Sequence, residues 1–288
     1  MDCKAAERCG PVSCPDIAFD DDTALEPDGD GGYLGAVDPR WWTPRGPLGG
    51  YVMALVMRAL MLEVDDPARQ PRSLTVHFLR PPEAGPVTVR PVVERAGRSV
   101  TTASARLEQE GRLLALGVAV FSTPWASPEL SEVPMPEVEP AQADGPSSRD
   151  VPGAEPPPFL SLLHMQRRFG AVAFSGSDRA ETGGWLGLRE QRPLDALTVV
   201  VLSDAWFPAP WPRLRALAPA PTIEMSVYFR APLPLPYQLL LGRFRTTLVR
   251  DGFFEEDGQL WTPDGTLVAQ SRQLALLIGA GQGEETAA

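Results

Sequence analysis

The chain has 288 residues, of which 43% are hydrophobic, and its formal net charge is −11. This length allows one large domain or two of ordinary size, with enough apolar residues for a core. A chain this acidic is not expected to bind nucleic acid or an anionic membrane surface nonspecifically. No apolar run reaches the roughly 20 residues that span a bilayer. We therefore expect neither a nucleic-acid partner nor a membrane partner.

The N-terminal segment, residues 1–30, is acidic and rich in glycine towards its end, and it contains all three cysteines. Such a composition offers little to bury, and we predict a flexible segment. The segment has no apolar stretch typical of a signal peptide. The cysteine spacing does not match a zinc site, which favours reduced thiols in a cytoplasmic protein.

The first ordered region predicts a helix inside a sheet. A short strand over 33–37 precedes a turn-rich loop at 43–50, and the sequence YVMALVMRALMLE predicts a buried helix over 51–63. Four strand-like segments follow, rich in β-branched residues and separated by turn residues: 74–81, 87–97, 99–111 and 112–122. Residues 123–158 are rich in Pro, Glu, Ser and Gly and indicate a linker between two domains.

The pattern of one apolar helix among several strands returns after the linker. The apolar run LDALTVVVLSDAWF predicts a second buried helix over 194–207, with one carboxylate, Asp204, near its far end. The predicted strands of this half are 165–174, 183–191, 222–234, 237–252, 253–265 and 266–279. We expect residues 280–288 to form a flexible tail.

The two halves, residues 31–122 and 159–279, read as copies of one unit. Val76-His77-Phe78 matches Val227-Tyr228-Phe229, and Gly111 to Ala115 matches Gly265 to Ala269. The sequence therefore predicts an α+β fold in which two helix-plus-sheet units pair edge to edge. Pairing the two sheets into one would bury two strand edges that could otherwise aggregate.

The residues that carry this repeat also resemble a known family. GGYVMALVMRAL, LTVHFLRPPEAG, LSDAWF, TIEMSVYFRAP and DGTLVAQSRQLALL together resemble the TesB-like acyl-CoA thioesterase II family, over most of residues 31–279. The resemblance implies a double hotdog fold, in which each antiparallel sheet wraps a long helix. It also implies hydrolysis of an acyl-CoA, or of an acyl carrier protein thioester, to free acid and thiol without a metal or other cofactor.

In that family, the attack on the thioester is attributed to a water molecule that an Asp, a Thr and a Gln position. The resemblance places these roles at Asp204, Thr222 and Gln273, with Ser226 as an alternative hydroxyl. An ionised carboxylate can accept a proton from water, while a hydroxyl and an amide orient that water. Each of these residues alone fits an ordinary structural role as well, such as a helix-end Asp or a strand polar residue.

The repeat supports the assignment independently of the resemblance. Gln273 aligns with Ala119 and Thr222 falls near Pro71, while the counterpart of Asp204 lies among 58–60, where no carboxylate occurs. Polar groups that the fold required would recur in both halves. Their presence in one half only predicts one site per chain.

Further roles follow from local chemistry. Backbone N–H groups of Gly50 and Tyr51, at the start of the first helix, are candidates to stabilise the oxyanion of the thioester carbonyl. Arg45 and Arg98 are candidates for the phosphates of CoA, although both also fit as surface arginines. We also expect a homo-oligomer.

Two alternatives remain open from the sequence. One is a double-hotdog hydratase or dehydratase, which would need an Asp and a His close together in the helix. No His follows Asp195 or Asp204 there, and the chain has only two histidines, His77 and His164. The other is an acyl-binding protein without catalysis, which ligand binding without turnover would reveal.

Overall fold

The computed structural model describes residues 18–142, 147, 148, 151 and 155–279. Its helices are α1 (Ala18–Asp22), α2 (Gly49–Val64) and α3 (Ala196–Leu202). The predicted first helix is confirmed as α2, which begins directly at the Gly-Gly pair and ends where Asp65 adopts a left-handed conformation. Nearly every residue from Gly50 to Leu60 is buried, because sheet and helix cover α2 on all sides.

Each predicted strand of the first half is present, but the strand predicted over 74–81 begins and ends earlier, and three two-residue strands were not predicted. The strands of this half are β1 (Glu26–Pro27), β2 (Tyr33–Val37), β3 (Trp42–Thr43), β4 (Gly46–Pro47), β5 (Gln70–Phe78), β6 (Gly85–Ala96), β7 (Val100–Gln109) and β8 (Arg112–Ser122). The strands of the second half are β9 (Leu163–Phe169), β10 (Glu181–Leu188), β11 (Thr222–Phe229), β12 (Leu240–Arg245), β13 (Val249–Arg250), β14 (Phe253–Trp261) and β15 (Leu267–Leu276).

Both halves contribute to one antiparallel sheet of thirteen strands, so the predicted double hotdog is confirmed. Its order is β1-β2-β6-β7-β8-β5-β11-β15-β14-β12-β10-β9, with β13 paired to β14. The halves meet at β5 and β11, where Val76 lies opposite Met225 and Leu74 opposite Val227. The two strands that the sequence repeat aligned are therefore the two that join the halves, and neither is left as a free edge.

The second helix is shorter than predicted. The sequence indicated a helix over 194–207, but α3 ends at Leu202 and Asp204 lies in the turn that follows. The Ser203 hydroxyl donates to the Val199 carbonyl oxygen, and Pro208 restricts the backbone before it. The apolar content was a correct sign of burial, since α3 is buried throughout, but burial alone does not fix where a helix ends.

The described part of the N-terminal segment is ordered, which differs from the expectation of a flexible segment over residues 1–30. Phe19 of α1 is buried and packs edge to face on Trp41. Asp20 pairs with Arg58 of α2 and with Arg192 of the second half, both at 2.9 Å. The one aromatic residue and its acidic neighbour thus anchor α1 to both halves. Residues 1–17, with the three cysteines, lie outside the described residues.

The described linker residues form no helix or strand before Pro158, but they pack against the sheet. Val133, Met135, Val138 and Ala141 contact the cluster of Trp185, Leu241 and Trp261. The indole N–H groups of the two tryptophans donate to carbonyl oxygens of Glu139 and Val133. The linker therefore covers part of the second half of the sheet. Residues 280–288 lie outside the described residues.

No helix among the described residues is long and apolar enough to cross a membrane.

Candidate active site

The carboxylate of Asp204 lies at the N-terminus of α2, so a residue of the second half caps the helix of the first half. The Gly50 N–H donates to Asp204 Oδ2 at 2.7 Å. Leu48, at the N-cap position, cannot supply a side-chain cap. An anion is also favoured at the positive end of a helix dipole. Asp204, from the second half, thus accepts from a backbone N–H at the start of α2 that no side chain of the first half caps.

The Gly-Gly pair is explained by this close approach. A Cβ at Gly49 would lie 2.9 Å from Asp204 Oδ2, and one at Gly50 would lie 3.0 Å from the backbone of Val201. Contacts this short require movement of one partner. The two glycines therefore allow the turn after α3 to reach the start of α2.

The surroundings of Asp204 raise its pKa to about 6, because burial disfavours the charged form. The N–H groups of Gly50 and Gly49 act in the opposite direction and favour ionisation. The residue keeps partial solvent exposure, although protein atoms surround its carboxyl group closely. A group with this pKa is ionised for the most part at neutral pH and can still accept a proton, which suits a general base.

Thr222 and Gln273 are brought together by a β-bulge. The pairing of β11 with β15 shifts register between Thr222 and Glu224, and such a bulge redirects a side chain. The Thr222 hydroxyl donates to Gln273 Oε1 at 2.7 Å. The alternative hydroxyl, Ser226, instead bonds to Thr75 across the junction of the two halves, at 2.8 Å.

The equivalent bulge occurs in the first half, between Pro71 and Ser73. The bulge itself therefore belongs to the repeated fold, whereas the hydroxyl is found in the second half. Met225 lies opposite Gln273, as Leu74 lies opposite Ala119. This register confirms the alignment of Gln273 with Ala119 that the sequence repeat predicted.

Sequence reasoning missed Glu256, which is 5% exposed. It lies directly opposite Gln273 in the sheet. Gln273 Nε2 donates to Glu256 Oε1 at 2.8 Å, and the Ala209 N–H donates to Glu256 Oε2 at 2.6 Å. The signal was available in the alternation of β14, because Phe254, Glu256, Gly258 and Leu260 all face inward. A glutamate at an inward position needs partners.

Burial raises the pKa of Glu256 to about 7. Its two hydrogen-bond donors lower that pKa, while the negative charges of Asp204 and Asp257 raise it. Asp204 and Glu256 are thus close enough for their ionisation to be linked. Among the described residues, no hydrogen bond joins Asp204 directly to Thr222, Gln273 or Glu256. The site therefore consists of the Asp204 carboxylate, which caps α2, and a hydrogen-bonded chain of the Thr222, Gln273 and Glu256 side chains.

The structure does not leave the predicted oxyanion donors available. The Gly50 N–H is bonded to Asp204, and the Tyr51 N–H donates to the Leu48 carbonyl oxygen at 3.1 Å. The Tyr51 ring is fully buried and stacks on Trp41 with centroids 5.1 Å apart. In this arrangement Gly50 and Tyr51 cap and anchor α2 rather than offer free donors.

The two predicted CoA-binding arginines lie at different ends of the first half. Arg98 lies near the start of β5, because its carbonyl oxygen accepts from Arg69, the residue before that strand. Asp204 lies near the other end, because Phe78, the last residue of β5, contacts Gly49. A strand of this length spans about 26 Å, so Arg98 is remote from Asp204. Arg45 is exposed in the β3–β4 turn that leads into α2, which is the same end as Asp204.

Comparison with known proteins identifies two related domains. Residues 38–122 match the family model of the acyl-CoA thioesterase N-terminal domain, and residues 135–277 match that of the C-terminal domain. The second match begins inside the predicted linker, in agreement with the packing of that segment on the sheet.

Solved structures share this architecture over about 90% of the chain, and curated relatives match it in sequence over 85%. A hotdog-fold protein of unknown function from Alicyclobacillus acidocaldarius is 32% identical, with a TM-score of 0.82, and the match covers 90% of this chain and 97% of the other. A provisionally assigned thioesterase II from Thermobifida fusca is 29% identical, with a TM-score of 0.74 and the same coverage. An uncharacterised protein of Mycobacterium tuberculosis is 26% identical over 272 residues, which are 85% of this chain and 90% of the relative.

Proposed function

The chain belongs to the acyl-CoA thioesterase family, and on that premise we propose that it hydrolyses an acyl-CoA thioester with Asp204 as the base that activates water. The observation that carries the proposal is the position of the Asp204 carboxylate. It is bonded to a helix N-terminus, has a pKa raised to about 6, and still has partial solvent exposure. A base with these properties is available at neutral pH.

The proposed reaction needs no further component. The water oxygen forms a bond to the thioester carbonyl carbon while Asp204 takes one proton from that water. The tetrahedral intermediate then collapses, the C–S bond breaks, and the proton passes to the departing sulfur. The products are a free acid and the thiol of CoA.

Thr222 and Gln273 are proposed to orient the attacking water. The Thr222 hydroxyl donates its hydrogen bond to Gln273 Oε1. Its oxygen can therefore still accept a hydrogen bond from water. Gln273 uses one hydrogen of Nε2 for Glu256 and keeps a second to donate. One acceptor and one donor can fix the direction of the water lone pair.

The histidines give no support to the hydratase alternative. His77 is exposed on the outer side of β5, and His164 bonds to Gln166 on the edge strand β9 at 2.8 Å. Neither lies in α3 or in the turn that carries Asp204.

The test is thiol release from a panel of acyl-CoAs, from short to long chains and including aromatic acyl groups, with matching acyl carrier protein thioesters. We expect turnover of at least one member by the wild type. Asp204→Asn should reduce kcat by about a hundredfold or more, the size of effect expected for a general base. Equal rates for the variant would remove Asp204 from the mechanism. Binding of acyl-CoA without release of thiol would instead favour an acyl-binding protein.

A further inference from the structure

Glu256 connects two parts of the site that are otherwise separate. Its Oε2 accepts from Ala209, in the segment that follows Asp204, and its Oε1 accepts from Gln273 in β15. The distances are 2.6 and 2.8 Å, and the side chain is buried. Both oxygens act as acceptors, which is the bonding pattern of an ionised carboxylate.

The repeat shows that the fold does not require this carboxylate. Glu256 lies opposite Gln273 in the second half, and the corresponding pair in the first half is Ala103 opposite Ala119. Both alanines are fully buried. The same position of the same sheet is therefore filled by small apolar residues where no site is proposed. A buried glutamate is costly unless it is bonded, so its presence in one half points to a use in that half.

The bonds of Glu256 also determine the direction of the neighbouring hydrogen bonds. Ionised Glu256 holds the NH₂ group of Gln273, which turns Oε1 towards the Thr222 hydroxyl. Protonated Glu256 would become a donor. The carboxamide of Gln273 would then have to turn over, and its NH₂ group would face Thr222. The Thr222 oxygen would then accept from that NH₂ group, and its O–H, which would have lost its acceptor, would be free to point at the water as a donor.

We propose that Glu256 is the positioning residue of the site: in its ionised form it fixes the orientation of the Gln273 carboxamide and, through Gln273, the direction of the Thr222 hydroxyl. The consequence for turnover rests on the proposed thioesterase function, but the orientation of Gln273 does not.

The protonation of Glu256 responds to the charges around it. From the segment after α3 the nearest titratable group is Asp204. Asp257, the next residue of β14, points outward and pairs with Arg272 of β15 at 3.4 Å. Thr222 and Gln273, which complete the chain, are neutral. Since the pKa of Glu256 is about 7, the two orientations of Gln273 would exchange near neutral pH.

The experiment compares wild type, Glu256→Gln and Glu255→Gln in two assays. Glu255 is the matched control because it is the adjacent residue of β14 and accepts from Thr247 at 3.0 Å, away from Gln273. The first assay follows the side-chain NH₂ signals of Gln273 by ¹⁵N NMR between about pH 5 and 9, assigned by their loss in Gln273→Ala. The second measures kcat and KM on the acyl-CoA panel over the same pH range, with thermal unfolding to confirm that each variant is folded.

We expect the Gln273 NH₂ signals of wild type and of the Glu255 variant to titrate with one midpoint near neutral pH. In Glu256→Gln the signals should move and stop titrating. Its kcat should fall by about tenfold to a hundredfold, the size of one lost hydrogen bond to a charged group, with little change in KM.

Each result decides a separate point. Gln273 signals that titrate in wild type and not in Glu256→Gln would support the positioning role even if no acyl-CoA is hydrolysed, and only the proposed function would then fail. Gln273 signals that are unchanged in Glu256→Gln would overturn the positioning role, whatever the rates. Signals that move while an active enzyme keeps its kcat and pH profile would overturn the link from Gln273 to turnover.

Discussion

Replacing Asp204 with Asn should lower kcat by about a hundredfold or more and also stabilise the folded protein at neutral pH. The pKa of Asp204 rises from 3.8 to about 6 on folding, chiefly because of burial. The folded state therefore holds the proton more tightly than the unfolded state, and ionising Asp204 at higher pH costs folding free energy. At about 1.4 kcal/mol for each pH unit between the two pKa values, that cost approaches about 3 kcal/mol.

The sign of the effect can be tested across pH. Below about pH 4 the carboxyl is protonated in both states, so Asn and Asp should be nearly equivalent. Above about pH 6 the free energy of unfolding of Asp204→Asn should exceed that of wild type by up to about 3 kcal/mol. Removing the charge of Asp204 also lowers the pKa of Glu256, which acts in the same direction.

Urea unfolding at four pH values between about 4 and 8, followed by tryptophan fluorescence, measures the difference directly. Glu255→Gln is the control: burial raises the pKa of Glu255, but hydrogen bonds from Thr247 and from backbone N–H groups outweigh burial and lower that pKa overall, so this variant should not gain stability over wild type as pH rises. A difference between Asp204→Asn and wild type that is constant with pH, or that decreases as pH rises, would refute the argument that Asp204 is held in a destabilised ionised form. Loss of kcat without any stabilisation would leave Asp204 in the mechanism, but it would contradict the claim that burial raises the pKa of Asp204.

Further predictions concern the surroundings of the site. The kcat of wild type should rise with pH to a plateau through the pKa values of Asp204, about 6, and Glu256, about 7, because both carboxylates act in their ionised forms; a flat profile from pH 5 to 8 would contradict the roles of both carboxylates. Thr222→Val should lower kcat by about tenfold or more while thermal unfolding changes little, and an unchanged kcat would remove Thr222 from the site. Gly50→Ala should cost about 1–3 kcal/mol of stability in urea unfolding, because the new methyl group meets the backbone of the second half; a neutral effect would show that the halves can separate locally. Arg192→Ala, which removes the ion pairs of the buried Arg192 with the partly exposed Asp20 and Asp195, should cost about 1–3 kcal/mol in the same assay, between the values of surface and buried pairs, and a loss below about 1 kcal/mol would mean that α1 is not anchored by this arginine.

Much of the fold could be predicted because the repeat provided two independent copies of the same pattern. The alternation of β5 and β11, and the unbroken apolar run of α2, depend on local spacing that any sheet wrapped around a helix must satisfy. The joining of the two sheets edge to edge followed from the need to cover two edges, whereas the pairing of β5 with β11 became known only from the structure. The position of Gln273 could be anticipated because its counterpart in the first half is Ala119.

The remaining features depend on contacts between distant parts of the chain. The end of α3 at Leu202 is not set by hydrophobicity, since the apolar residues 205–207 follow it; it coincides with the contact between Asp204 and the start of α2. Glu256 was missed because a polar residue in a strand is usually exposed; the alternation of β14 places it on the inward face, but only its register opposite Gln273 shows what it bonds. Arg98 was assigned to CoA from its turn alone, which does not reveal at which end of β5 that turn lies.

The cap that Asp204 places on α2 has a consequence for how the two duplicated halves can evolve. The proposed catalytic side chains all belong to the second half, so on that ground alone the first half could change in sequence without affecting the chemistry. Yet its Gly50 both holds the carboxylate and leaves room for it. A substitution there would alter a pKa encoded more than a hundred residues away. Selection on the chemistry of one repeat therefore extends to the helix start of the other, and the two copies must change together.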